Sequence, residues 1–299
     1  MDAPQPEGLT RTRMAAGTSP SPLTRRTLLR SALAVGAATI GAAAIGAARL
    51  SLPAAAARPG PALPPGLTRG ETARVAAVLS ADTIDLETGQ RVRLAGIQGP
   101  AQGRDDTPAW PLAVEAATAT GLFCLGKTVT LHYAEDRRDR WRRALAHVTT
   151  EHGAWLQGHL LRDGFARVHT WPRTATGARA MLDLERTARA NRRGIWAERF
   201  YRIRNPAEAW GDLDSWQIVE GRVADSAVVR GTAYLNFGID WRNDFTFRAE
   251  SEARRAFRGA GIDLGDLAGR RVRGRGWIYP TNGPMIDLTH PAQLEVLED

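Results

Sequence analysis

The residues of this chain whose placement could do chemistry are carboxylates and guanidinium groups. Residues 73–79 and 83–86 are apolar-rich, residues 87–90 (ETGQ) are turn formers and residues 91–97 alternate, which predicts two strands joined by a turn. Asp82 then leaves the first strand and Arg93 lies on the second. A carboxylate so placed can hold a hard cation, and the planar fork of an arginine grips phosphate or carboxylate oxygens in two places. A second group, DRRDRWRR at residues 136–143, falls between strand-like runs at 127–134 and 143–148 and, as bare sequence, reads as a solvated charged turn. The third lies on a strand expected at 270–279. Period two puts Arg271, Arg273, Arg275, Trp277 and Tyr279 on one of its faces, with Val272 and Ile278 on the other. Guanidinium groups beside aromatic rings suit a single-stranded nucleic acid, although aromatics covering a neighbouring helix would give the same pattern.

Other chemistries find little support. Cys124 is the only cysteine, so no disulfide forms within the chain, and its apolar, helix-like setting predicts a small buried hydrophobe. Six histidines are scattered without the spacing of a zinc site. The 299 residues carry a formal charge of +8, and half of it comes from residues 1–57, where six arginines face only Asp2 and Glu7.

With these residues in view, the chain resembles the staphylococcal nuclease (thermonuclease) family. Ser80-Ala81-Asp82-Thr83 and the run RLAGIQGPA at residues 93–101 match the framework of that family's hairpin, and Asp139, Trp141 and Arg143 match its D-x-[YW]-G-R turn. The resemblance implies that Asp82 is the first calcium-binding aspartate and that Arg93 and Arg143 are the two catalytic arginines facing the scissile phosphate. The chain departs from the pattern in several places. Gln98 stands where the second metal-binding aspartate is expected, offering calcium only a neutral carbonyl oxygen. Ala101 replaces the glutamate that orients the attacking water, and Gly99 replaces a threonine. Arg142 takes a position where glycine is usual, and a turn glycine often holds a positive φ. Asp105 and Asp106, in a loop expected at 102–111, are the candidates to supply the lost carboxylates; solvated loop acids are the plainer reading.

The order of elements extends the likeness across residues 72–197. Helices are expected at 112–125, 154–164 and 177–191, and Gly194-Ile195-Trp196 closes the run as the family's G-[IL]-W does. The expected fold class is therefore mainly β with α+β character: a five-stranded oligonucleotide-binding (OB) barrel with three helices. A bridge at 198–216 leads to residues 217–299, where three strands, a helix and two strands predict a second small OB-like β-barrel. At the other end, Thr24-Arg25-Arg26 followed by an Ala/Gly-rich segment resembles a twin-arginine export signal spanning residues 1–57. A Pro/Gly-rich linker at 58–71 follows, so a periplasmic or secreted protein without a stable membrane span is expected.

Three functions fit. The first is a module binding nucleic acid, single strands above all, or another polyanion, with hydrolysis weak or lost. The second is a calcium-dependent nuclease with replacement acids. The third is a periplasmic protein-binding scaffold.

Overall fold

A computed structural model describes residues 60–240 and 242–298. The export-signal segment and Trp241 lie outside the described residues, as does the start of the expected linker. Residues 60–67 do not stand off as a linker: Leu63 packs on the first core and Pro64 is buried.

The first barrel opens with β1 (Thr68–Ser80), β2 (Thr83–Leu86) and β3 (Arg91–Leu94), the expected hairpin with a longer first strand. A two-residue strand, β4 (Ile97–Gln98), precedes α1 (Ala113–Cys124). There follow β5 (Thr128–Tyr133), β6 (Ala144–Thr150), α2 (Leu156–Arg162), β7 (Arg167–Val168) and α3 (Ala178–Ala190). The five long strands close in the order β1-β2-β3-β6-β5. Closure needs β1 to serve two partners, and it does so along its length. Thr68 to Arg74 pair with β5, and Val75 to Ser80 pair with β2 across register shifts that bend the strand. Ile84, Val92, Leu131 and Val148 fill the interior at 0% exposure, as alternation on these strands predicts. Cys124 is buried with them, and burial pushes its thiol up to about 12. α1 fully buries only small residues on this core, packs Phe123 against it in part and leaves Leu122 exposed.

The second core is built by β8 (Ser215–Arg222), β9 (Asp225–Val229), β10 (Thr232–Asn236), β11 (Thr246–Ala249), α4 (Ser251–Gly259), β12 (Arg271–Pro280), β13 (Pro284–Asp287) and β14 (Leu294–Val296). Its sheet runs β9-β10-β11-β13-β12, with β8 on the far side of β12. Only Val223 and Ala224 separate β8 from β9, so the two act as one bent strand, as β1 does, and the ring returns on itself. Both barrels also hold one parallel contact, β3 with β6 and β11 with β13. β9 and β14 are absent from the expectation of five strands. β9 carries Asp and Ser and is largely exposed, so it lacks the apolar alternation that marks a strand.

Candidate phosphate cleft

Turn residues and strand ends of the first barrel bring the expected groups to one mouth. Asp82, at the tight β1–β2 junction, is held from several sides. Its carboxylate accepts the Gly99 amide at 2.7 Å, the Ser80 hydroxyl at 3.0 Å and the Thr83 hydroxyl at 3.3 Å, and pairs with Arg93 Nη2 at 3.1 Å. Gly99 has a steric reason to be glycine, since a Cβ there would lie 2.5 Å from the Ala81 methyl. Arg93 is equally engaged, donating to the carbonyls of Asp82, Leu94 and Ile97 at 3.0 to 3.3 Å. It lines the cleft while bracing the β3–β4 bend.

Arg143 is different. The Asp139 carboxylate caps its turn by accepting the amides of Trp141 and Arg143 at 3.0 and 2.9 Å, and takes Arg143 Nε at 2.6 Å. The guanidinium is thus ion-paired with Asp139 through Nε, while neither η nitrogen donates a hydrogen bond among the described residues. Arg142 takes φ 64°, so the turn keeps the left-handed shape that glycine would adopt and Arg143 stays in place. Trp141 flanks the turn, with the Arg140 guanidinium 4.0 Å and that of Arg143 5.0 Å from its ring.

Arg93, Arg143 and Gln98 face a cleft of about 890 Å³ whose opposite wall comes from the second barrel, with Trp216, Trp277 and Tyr279. Trp171 from the first barrel and Trp277 from the second each remain more than half exposed. At its base His169 packs on Trp171 and Trp216, with ring centroids 5.2 and 5.0 Å away. Burial, reinforced by Arg93 and Arg167, draws its pKa down to about 3, so it is a neutral aromatic at physiological pH.

The arginine ladder on β12 needs correction as an exposed binding face. Alternation holds, with Val272 and Ile278 buried on the other side, but the arginines turn to carboxylates of neighbouring elements. Arg271 and Arg273 both pair with Glu220 of β8. Arg275 is 1% exposed and reaches Glu185 of α3 at 3.0 and 3.1 Å and Glu295 of β14 at 2.9 Å. Arg189 of α3 also turns in to Glu185 at 2.9 Å. Of these pairs, Arg275 with Glu185 crosses between the barrels and docks the second against the first. Of the five ladder residues, only Trp277 and Tyr279 are left to present aromatic surface to the cleft.

The residues present do not fit a calcium site. Asp82 is already saturated by donors. The Gln98 side-chain oxygen accepts Arg167 Nε at 2.9 Å, and Ala101 is an exposed methyl. Asp105 and Asp106 sit exposed in a turn closed by Arg104 and Thr107, with Asp105 3.5 Å from Arg104. Among the described residues no three His, Cys, Asp or Glu side chains gather closely enough to hold a metal.

The barrel order, the helix between third and fourth long strands and the arginine turn define a protein of the OB-fold class with a basic cleft. Comparison with known proteins narrows the class. Residues 91–198, which hold three of the first barrel's five long strands and its three α-helices, match the family model described as staphylococcal nuclease homologue. The thermonuclease of Staphylococcus intermedius is 27% identical over 136 residues, covering 43% of this chain and 77% of that protein. That of Staphylococcus hyicus is 26% identical over 148 residues, covering 46% and 84%. A protein of Schizophyllum commune named probable endonuclease LCL3 is 33% identical over 119 residues, covering 36% of this chain and 40% of its own length. The second barrel lies outside the matched family segment.

Arg167, buried behind Gln98 rather than on the cleft surface, is the residue that local sequence pattern does not single out. Its signal is the pairing of β4 with β7, which sets it opposite Gln98, and that pairing cannot be read from a two-residue strand.

Proposed function

We propose that this nuclease-family chain binds nucleic acid, single strands in preference, through the cleft between its two barrels, and that hydrolysis is weak or lost. The observation that carries the reading is Arg143, held by Asp139 with both η nitrogens unengaged at the mouth of an aromatic cleft. Two free donors on a fixed planar fork suit a phosphate, and exposed Trp171 and Trp277 offer faces on which unpaired bases stack. Arg93, neutralised by Asp82, supports the wall. The weakness of hydrolysis follows from the groups at 98 and 101: neither supplies a carboxylate to hold a metal or orient water, which phosphodiester cleavage of this kind requires. The export segment at 1–57 accords with a periplasmic or secreted protein, and among the described residues no helix is long and apolar enough to cross a membrane. The domain boundaries at 72–197, 198–216 and 217–299 belong to the same reading.

A second reading, an active metal-dependent nuclease, draws on the names of the relatives, thermonuclease and endonuclease. Binding of a fluorescein-labelled oligothymidylate, followed by anisotropy across salt concentrations, tests the first reading. The expected result is affinity that falls steeply with salt, and Arg143→Ala weakening binding about tenfold with a shallower salt slope. Salt-independent binding, or none, would remove the proposal.

A further inference from the structure

Among the buried arginines Arg167 has an unusual environment. Arg204 pairs with Asp212 at 2.7 Å, and Arg275 pairs with Glu185 and Glu295. Arg167 is 5% exposed and has no carboxylate within ion-pair distance among the described residues. Neutral oxygens hold it instead: the Gln98 side chain at 2.9 Å and the Trp216 carbonyl at 3.2 Å. Aromatic faces surround the rest, with the guanidinium carbon 4.3 Å from the Trp216 ring, 5.4 Å from Trp110 and 6.0 Å from Tyr201. A buried cation without an ion pair is costly, and desolvation, only partly opposed by Tyr201 and Glu185, draws the Arg167 pKa down to about 9, where it is still charged at neutral pH.

The position of that cost is informative. Arg167 lies directly across the β4–β7 pair from Gln98, and Gln98 lines the cleft with Arg93 and Arg143. Glutamine can accept the guanidinium hydrogen without neutralising it, whereas a carboxylate at 98 would quench the charge. A divalent ion beside position 98 would meet a fixed positive charge a few ångströms away. We propose that Arg167 is a built-in cation that takes the place of a divalent ion: it contributes positive potential to the cleft for an anionic phosphodiester and excludes metal from position 98. The phosphodiester half of this inference rests on the function proposed above; the exclusion of metal does not.

Two titrations of the full chain test it. In the first, tryptophan-sensitised terbium luminescence reports cation binding by the wild type, Gln98→Asp and Gln98→Asp/Arg167→Met. Only the double variant is expected to bind terbium, at least about tenfold more tightly than the other two, because the aspartate alone pairs with Arg167. Terbium binding by Gln98→Asp equal to that of the double variant would overturn the exclusion. In the second, labelled oligothymidylate is titrated in calcium and in chelator. Wild-type affinity is expected to be the same in both, Arg167→Met to weaken it about tenfold and Arg167→Lys to retain most of it. Calcium-strengthened binding by the wild type, or unchanged binding by a folded Arg167→Met, would overturn the cation's role. Should the methionine variant misfold, terbium binding by Gln98→Asp about tenfold tighter than that of the wild type would by itself overturn the exclusion, and binding no tighter than wild type would uphold it. A wild type that binds no oligothymidylate while the terbium pattern holds would remove the proposed function and leave the metal exclusion standing.

Discussion

The two barrels repeat one plan and use their arginines for opposite ends. In each, a bent first strand serves two partners, a parallel pair completes the ring and a helix follows the third strand of the plan. On β12 of the second barrel every arginine meets a carboxylate, and the cluster of Arg275, Glu185, Glu295 and Arg189 is a buried weld to α3. In the first barrel the η nitrogens of Arg143 donate no hydrogen bond among the described residues, and Arg167 forms no ion pair there. Arginine count therefore says little about polyanion binding; the partner of each guanidinium says most of it.

The sharpest way to break this contrast is at the weld. Arg275→Ala strands Glu185 and Glu295 without their main cation, in sites 1% and 8% exposed at the side chain, and is expected to cost about 3–5 kcal/mol in urea unfolding. A loss below about 1 kcal/mol, the scale of a surface pair, would show that the cluster is not the structural element described. Arg143→Ala is the complement, expected to lose oligonucleotide affinity with little change in stability, since its one ion pair is partly exposed. The smallest effect belongs to Arg142. Its left-handed backbone is unfavourable for a side chain, so Arg142→Gly is expected to raise stability by about 0.5–1 kcal/mol in the same assay without moving Arg143. A destabilised glycine variant would mean that the Arg142 side chain contributes more than its backbone strain costs.

Much of this was legible in the sequence, for identifiable reasons. The Asp82 to Arg93 hairpin and the Asp139 to Arg143 turn are local, their geometry set by neighbours within a few residues, and their elements follow alternation and turn chemistry. The face of β12 was legible as a periodicity but not as an environment. Arg275 finds Glu185 90 residues away, and no local pattern reveals which carboxylate a strand will meet when two barrels dock. Arg167 was hidden for the same reason, since its significance lies in the cross-strand position of Gln98, 69 residues earlier. The left-handed turn at Arg142 shows the converse: a departure from glycine that looked disruptive is absorbed locally because the Asp139 cap fixes the turn.

The most direct test of the central claim, a nuclease-like cleft that binds without efficient cleavage, follows denatured DNA with the full chain in calcium and in chelator, with Asp82→Ala alongside. The account predicts retention of the DNA on the protein, with no cleavage above that of Asp82→Ala in either condition. Calcium-dependent cleavage that disappears in Asp82→Ala would contradict it and establish a working metal centre around Asp82.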